Sequence, residues 1–472
     1  MERSLSYLSC FVRCAVVASI GLAVVPVQAL SLADAVLLAR QSDPTYLSAK
    51  ANLSASRERS GQAVANHLPQ ISVTANTNAN RRTYDTRDSP FPAAKDEYNS
   101  KSAQLSVTQP LWRSANRIAI IQADAAVAQA DFQLAAAEQD LLIRLVQAWF
   151  DVMLARDIVA FTERQSDAMK FQWQQTTHGA GLGLATVTAV EEARTKHDQA
   201  IADHAIAETD QSIKLAVLEQ IIGPVSRLSP PLLSDDFIQA DFRSGTLEDL
   251  LSHAEAASPA ILAASRALDA ATEEIRKQRA GHEPTLDIVA TYGRNGQGAG
   301  SFPGQNGYDI NQRAIGFQLN IPLYSGGGQS AKVREAVALR EKAMQDLESA
   351  RRNARLAGKQ AWFGWQAGNA RKTAALQSVK YSVVALKAST TGKLNEVKTE
   401  LDVLQARQQM YSSLRDLQKA RYEMITSHLK LKAVVGQLID ADLVALDKWF
   451  VSYESRTADS SRLQHKTEPR TR

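Results

Sequence analysis

Cysteine is almost absent from this chain of 472 residues. Its two cysteines, Cys10 and Cys14, lie in an N-terminal segment where arginines precede an apolar run ending in Val27-Gln28-Ala29, the pattern of a signal peptide. The apolar run of about 12 residues is shorter than the roughly 20 that cross a bilayer, so we expect cleavage near Ala29 and no anchor. The mature chain would then have no thiol for a disulfide, a metal site or nucleophilic catalysis.

Long apolar runs and a strong charge of one sign are also missing. After the signal peptide, no apolar run reaches the length of about 18 residues expected of a membrane-spanning helix. The formal net charge of +4 falls mostly in the signal peptide and the last residues, which leaves a nearly neutral body without a basic stripe. We therefore predict neither helical membrane spans nor a nucleic-acid partner.

Motifs for metal, nucleotide and acyl chemistry are lacking. The 8 histidines include no His-x-x-x-His or His-Glu-x-x-His spacing. The glycines between Gly293 and Gly307 connect two strands, without the helix N-terminus that receives a phosphate. No Gly-x-Ser-x-Gly elbow occurs. These absences predict that the protein is not an enzyme and has no metal and no cofactor.

The chain contains the same pattern twice, at an offset of roughly 212 to 215 residues. Each copy has a short helix, a medium helix, two alternating strands around a loop, and two long helices. The matched segments include Leu68-Pro69-Gln70-Ile71 with Glu283-Pro284-Thr285-Leu286, Gln109-Pro110-Leu111-Trp112 with Ile321-Pro322-Leu323-Tyr324, Ala148-Trp149-Phe150 with Ala361-Trp362-Phe363, and Ile221-Ile222-Gly223 with Val434-Val435-Gly436.

These copies define the expected organisation. We predict a signal peptide at 1–29, a first repeat at 30–223, a linker at 224–244, a second repeat at 245–436 and a tail at 437–472 whose end is disordered. The first repeat is expected to hold strands at about 70–82 and 102–112 and long helices at about 114–178 and 186–222. In the second repeat we expect strands at about 285–293 and 313–323 and long helices at about 328–390 and 399–436.

The predicted strands alternate in polarity, as Ile315, Phe317 and Leu319 show against Gly316 and Gln318. On pattern alone, a sheet half-buried on a soluble core fits as well as a sheet in a membrane. Long polar loops at 81–100 and 293–312 favour the membrane, where hairpins project to the exterior. Four strands cannot close a barrel, so membrane strands here would require several chains to share one.

The long helices carry coiled-coil seams, in which apolar or small residues recur at spacings of three and four. One seam runs from Ile118 to Met153, a second from Val403 to Leu431 and an alanine-rich third from Val333 to Ala361. Small seam residues let neighbouring helices approach closely and curve into a cylinder. A helix over 114–178 would be about 95 Å long, which suits the wall of a tunnel.

The segment Ile321-Pro322-Leu323-Tyr324-Ser325-Gly326-Gly327 resembles the Pro-Leu-Phe-x-Gly-Gly signature of the TolC family of Gram-negative outer-membrane channels. Gln109-Pro110-Leu111-Trp112 is its degenerate partner, and the resemblance covers about residues 31–436 in both copies. The pattern of Leu32, Ala33, Asp34, Ala35 and Ala39, then Asp43-Pro44 and Leu68-Pro69, resembles the type I secretion branch more than the lipid-anchored drug-efflux branch.

The resemblance implies a mixed α and β fold, mostly α, in which a homotrimer shares an outer-membrane β-barrel with four strands per chain. A long periplasmic α-helical barrel continues it. The protein would be the exit duct of a tripartite export system, with a periplasmic adaptor, an inner-membrane transporter and outer-membrane lipid as partners. Its cargo would be protein, by type I secretion, or small toxic compounds, by efflux. A soluble periplasmic coiled-coil adaptor or scaffold is the alternative.

Strand-to-helix turns are the first candidate site. Pro110 and Pro322 are expected to end the strand ladder because proline has no amide to donate. Gly326 and Gly327 are expected to allow the sharp bend into the following helix.

The second candidate site is a pore constriction at the periplasmic tip. The family places Asp-Val-Leu-Asp there, and the matching stretch is Asp402-Val403-Leu404-Gln405, which keeps only the first acid. We hypothesise that Asp402, with Glu191 as a weaker candidate and Lys398 beside it, forms the constriction and gives it affinity for cations. Thr399-Glu400-Leu401-Asp402 is also a capping box, so Asp402 has an alternative role at a helix N-terminus, and both roles can hold. The positions that match the family's latch are Lys393, Lys398 and Ala189, so that latch does not carry over.

Overall fold

A computed structural model describes residues 30–84, 87, 94–224, 232–233, 246–301, 306–395 and 397–451. The predicted signal peptide, most of the predicted linker and the end of the predicted tail lie outside the described residues. Within the described part, helices predominate and one four-stranded antiparallel sheet stands at the end of the helices.

The first half begins with two short helices, whose starts are set by local side chains. Ser31 caps the first by accepting a hydrogen bond from the Asp34 amide, and Asp43 caps the second by accepting one from the Tyr46 amide, with Pro44 in the first turn. The elements in order are α1 (Leu32–Ser42), α2 (Pro44–Ala65), β1 (Gln70–Tyr84), β2 (Ala94–Trp112), α3 (Ser114–Gly181) and α4 (Val187–Ile222).

The second half repeats this order and adds a C-terminal helix. Between the halves, β3 (Leu232–Leu233) pairs with a C-terminal strand, β6 (Phe450–Val451), and the sequence predicted neither. The remaining elements are α5 (Leu247–Ala257), α6 (Pro259–Ala280), β4 (Thr285–Gln297), β5 (Tyr308–Asn320), α7 (Gly328–Leu394), α8 (Glu400–Val434) and α9 (Asp440–Asp447). With 68 and 67 residues, α3 and α7 are each about 100 Å long.

The long helices pack in pairs along their seams, α3 against α4 and α7 against α8. The seam of α3 is fully buried at Val146, Trp149 and Met153, whereas Ile121, nearer the sheet, is exposed. The seam of α8 is buried at Val403, Ser413, Leu417, Ala420, Met424 and Leu431. A single chain therefore buries part of its seams and leaves the remainder on the surface.

The main hydrophobic core lies where the two ends of the chain meet on the long helices. Residues of α1, the middle of α3, the ends of α4 and α8, and α9 form one buried cluster. The Asp447 carboxylate in α9 accepts hydrogen bonds from the amides of Leu32 (2.9 Å) and Ala33 (3.0 Å), at the start of α1. Arg40 reaches Asp440 at 2.8 Å. The last described helix thus holds the first one in place.

The sheet has the order β1-β2-β4-β5, with antiparallel pairing throughout. The strands are longer than predicted, because residues 81–84, 94–100, 293–297 and 308–312, which the sequence placed in loops, continue the ladder. Cross-strand pairs such as Arg81 with Glu97, 2.7 Å apart, allow polar residues to remain in strands. At its other end β5 stops at Asn320, short of the predicted 323. Among the described residues, no helix combines the length and apolarity that crossing a membrane requires.

Candidate functional site

One face of the sheet is apolar across all four strands, because the pairing register aligns their alternating patterns. Val73 pairs with Leu105 and Leu105 with Tyr292, while Ile288 pairs with Phe317. No helix among the described residues covers this face, and Phe317 is 74% exposed. The structure therefore contradicts the alternative of a sheet half-buried on a soluble core. Its exposed apolar members are Ile71, Val73, Leu105, Tyr292, Ile315, Phe317 and Leu319.

The opposite face, formed by the alternate rows of paired residues, is mostly polar. Thr74 pairs with Gln104, which pairs with Gly293, and Gly293 pairs with Gln312. The other rows of this face add mostly serine, threonine, asparagine and glutamine, among them Ser72, Asn76, Asn78, Ser102, Ser106, Asn295 and Gln318. A sheet with one exposed apolar and one exposed polar face is suited to separate lipid from water.

At the end of the sheet away from the hairpins, the two strand-to-helix junctions differ. Pro110 lies inside β2 and pairs with Asp287, and the ladder passes a bulge to Trp112, so the expectation that this proline ends the ladder is wrong. Pro322 lies two residues beyond the end of β5. Gly326 and Gly327 follow with φ angles of 62° and 79°, a left-handed conformation that side chains disfavour, and α7 begins at the next residue.

An ion pair secures the first junction and was not predicted. Arg113, between β2 and α3, donates from Nε to the Asp287 Oδ1 (2.9 Å) and from Nη2 to its Oδ2 (2.6 Å). Asp287 is only 5% exposed, and it lies on β4 of the other repeat. The two-point contact joins the base of the sheet to the start of the longest helix. Sequence reasoning missed it because the partners are 174 positions apart.

At the far end of the helices, the turn between α7 and α8 brings Asp402 and Lys398 together. The Asp402 carboxylate accepts hydrogen bonds from the amide and the hydroxyl of Thr399, both 2.8 Å long, which completes the predicted capping box. These bonds, with the nearby Lys398, hold the pKa of Asp402 below its usual value. The Lys398 ammonium lies 3.7 Å from the Asp402 carboxylate, so the two exposed charges partly offset each other.

In the matching turn between α3 and α4, a threonine caps α4 but no acidic side chain bonds back to it. Thr186 accepts a hydrogen bond from the Ala189 amide (3.2 Å), and alanine stands where the second copy has Asp402. Behind this turn lies a cavity of about 410 Å³ between α3, α4 and α8, lined partly by Ala189, Glu192 and Leu401. Glu191 is exposed and does not line it. The neighbouring Glu192, which the sequence did not single out, is the α4 acid that lines this cavity together with Leu401 of α8.

No group of three or more histidine, cysteine or acidic residues in the described ranges could hold a metal ion. The expectation of no metal and no cofactor stays a prediction.

The comparisons with known proteins agree with this geometry. A sequence profile of the family described as outer membrane efflux protein matches residues 36–224 and 250–437. The chain belongs to that family. Its matched ranges fall on the two repeats, so the family assignment made from Pro322, Gly326 and Gly327 is confirmed.

Relatives of this family member span nearly its whole length. Outer membrane protein TolC of Vibrio cholerae serotype O1 is 29% identical over 428 residues, covering 90% of this chain and 95% of the relative. Proteases secretion protein PrtF of Dickeya chrysanthemi is 28% identical over 434 residues, covering 90% and 92%. The crystal structure of the Campylobacter jejuni CmeC outer membrane channel matches with a TM-score of 0.74 at 13% identity, over 89% of this chain and 90% of that one. The mixed, mostly α-helical fold class is confirmed.

Proposed function

We propose that the protein is the outer-membrane exit duct of a tripartite export system and conducts its cargo passively from the periplasm to the exterior. The observation that carries this proposal is a sheet with two exposed faces of opposite polarity, continued directly by helices of about 100 Å. The apolar face would meet lipid and the polar face would line the passage. Relatives named for outer-membrane efflux and for protease secretion support the same role.

Closure of the duct requires more than one chain. The outer edges of β1 and β5 have no strand beside them in the described chain, and unpaired backbone groups are not tolerated in lipid. Three copies would bring together about 12 strands, which exceeds the roughly eight that a barrel needs. We infer a homotrimer in which β5 of one copy pairs with β1 of the next.

The internal repeat predicts the register of that contact. β5 corresponds to β2 and β1 corresponds to β4, so the observed pairing of Ser106 with Thr291 translates to Gln318 opposite Asn76 of the neighbouring copy. This register keeps the polar face continuous, and on the other face it sets Leu319 opposite Ala75.

A disulfide tests this register, since both native cysteines lie in the predicted signal peptide. Directly opposed cysteines have Cα atoms about 5.5 Å apart, which a disulfide spans. The Gln318→Cys/Asn76→Cys variant should oxidise to a covalent trimer on a non-reducing gel. The matched control, Gln318→Cys/Ala75→Cys, places the two thiols on opposite faces and should stay monomeric in denaturant. Equal cross-linking of both variants, or of neither, would contradict the proposed barrel.

The helical tip would be the docking end for a periplasmic adaptor and an inner-membrane transporter. Its two turns expose apolar side chains that no described residue covers: Leu182, Leu184, Val187 and Val397. Exposed apolar groups that cluster at one helix tip are suited to contact with another protein. The partner would supply the energy, and we expect no catalytic step in the duct itself. Cross-linking from position 182, followed by mass spectrometry, should recover an adaptor and a transporter, whereas adding Leu184→Asp should abolish that recovery and export together.

At the same tip, we infer a constriction whose selectivity is set by Asp402, Lys398 and the acids of α4. The Lys398 ammonium offsets the charge of Asp402, so the ring would be less cation-selective than a ring of bare carboxylates. In planar bilayers, Lys398→Gln should raise cation preference and Asp402→Asn should lower it. Asparagine still accepts the Thr399 hydrogen bonds, so helix capping is preserved. Unchanged selectivity in both variants would leave Asp402 with the capping role alone.

The alternative of a soluble periplasmic adaptor is not favoured, because an adaptor has no use for the exposed apolar sheet face. Fractionation separates the two roles: an exit duct should require detergent for extraction from the outer membrane, and an adaptor should be released without it.

A further inference from the structure

Three cationic side chains lie on the apolar face of the sheet, at its hairpin end. They are Lys101 on β2, Arg294 on β4 and Arg313 on β5, and we name them the basic belt. The register places Arg313 beside Tyr292, and Arg294 and Lys101 follow in the next two rows toward the hairpin tips. All three are exposed. They come from three adjacent strands, so one chain assembles the belt without a partner.

The contacts of the belt leave it with a net positive charge. Arg294 lies 3.3 Å from Asp309, and the Arg313 guanidinium stacks over the Tyr292 ring, 5.3 Å from its centroid. The Lys101 side chain and the Asp309 carboxylate both lie over Gly296, where a Cβ would come within 3.1 Å of the Lys101 Cε and closer still to the Asp309 Oδ1. Neither Lys101 nor Arg313 has a carboxylate partner among the described residues. Three cations therefore face one acid.

The belt begins where the apolar band ends. From Ile315 to Leu323, every second residue is apolar; this segment comprises the last six residues of β5 and the three that follow its end at Asn320, and its length is at most about 27 Å. At a barrel tilt of about 40° this is roughly 21 Å along the membrane normal, close to the height of the apolar band of outer-membrane barrels. Tyr292 then stands at the level of the aromatic girdle. The helices leave from the opposite end, so the belt is on the exterior side of the band.

We propose that the basic belt binds the phosphate of a phosphorylated lipid in the outer leaflet. This inference rests on the proposed function, which turns the apolar face toward lipid. The planar, forked guanidinium matches phosphate oxygens, and lysine adds a point charge. A phosphate lying in the belt would contact cations on adjacent strands while its acyl chains lie against the apolar rows below. The headgroup would thereby fix the depth of the sheet in the membrane.

The experiment titrates detergent-solubilised protein with diphosphorylated lipid A and counts the bound lipid by native mass spectrometry. One near-surface cation is worth roughly a factor of five in affinity for an anionic lipid surface. The double variant Lys101→Gln/Arg313→Gln should therefore bind about 25-fold more weakly. The same lipid without phosphates should bind wild-type protein as weakly as the variant binds the phosphorylated form.

Arg81→Gln is the matched control, because Arg81 lies on the same face nearer the hairpin tip but already pairs with Glu97 at 2.7 Å. Its lipid affinity should stay within about twofold of wild type. Conductance in planar bilayers is measured in parallel. If wild-type protein forms no pores, the proposed function fails and the inference fails with it. If pores form and the double variant binds phosphorylated lipid as well as wild type, only the inference is overturned.

Discussion

Removing the guanidinium of Arg113 should loosen the junction between the sheet and α3. Its two hydrogen bonds, 2.9 and 2.6 Å long, are made to Asp287, whose side chain is 7% exposed. Stranding one partner of a fully buried pair costs about 3 to 5 kcal/mol. The Arg113 side chain is 40% exposed, so water replaces part of the loss, and we expect about 2 kcal/mol.

Hydrogen exchange measures this loss locally. A change of about 2 kcal/mol in local opening corresponds to roughly 30-fold faster exchange of the amides at the start of β4 and α3 in Arg113→Gln. Arg81→Gln is the control, since its pair with Glu97 is 72% and 57% exposed and exchange near it should change less than about fivefold. The double variant Arg113→Gln/Asp287→Asn strands no charge and should recover most of the protection. Equal acceleration in Arg113→Gln and Arg81→Gln would refute the reasoning.

Three further predictions concern the helix ends and acid stability. Thr399→Ala removes the side-chain cap of α8, which should cost about 1 kcal/mol and speed hydrogen exchange of the first amides of α8 about fivefold. Thr186→Ala should have a smaller effect, because the cap of α4 has no acid that bonds back to the Thr186 amide. Gly327→Ala places a side chain on a residue with φ 79° and should destabilise the folded protein by about 1 to 2 kcal/mol. Gly328→Ala, inside the helix with open space around it, should not destabilise it. Equal thermal midpoints of the two variants would contradict this expectation. Burial lowers the pKa of His428 to about 4, so the stability it contributes is complete above about pH 6.5 and falls with pH toward 4, by about 2 to 3 kcal/mol at pH 4.5. His428→Gln should flatten that part of the stability curve, and an unchanged curve would show that another group titrates.

Periodic features of the sequence predicted the architecture. Alternation around Val73 and Phe317 identified which residues share a face, and the pairing register aligned these residues on all four strands. Spacings of three and four identified the seams, of which Trp149 and Met424 are fully buried. Such patterns are readable because each reports a contact that recurs along the whole element.

Contacts between segments that are distant in the chain could not be predicted from the sequence. No sequence pattern near Arg113 predicts its ion pair with Asp287. Likewise, no pattern in the polar tail predicts that the Asp447 carboxylate accepts hydrogen bonds from the first amides of α1, 415 positions away. Strand ends were also misjudged, because polar residues that pair across strands have the composition of a loop. At the tip, Glu192 lines the cavity and Glu191 does not, since Glu192 lies on the same helical face as Ala189. A repeat alignment alone does not resolve that rotation.

The central claim is that copies of this chain enclose a water-filled passage through a membrane. Single-channel recording in planar lipid bilayers, with protein extracted by detergent from the outer membrane, tests it most directly. We expect discrete, ion-conducting pores whose cation preference changes in Lys398→Gln. Correctly folded protein that inserts into the bilayer and yet conducts no ions would contradict it.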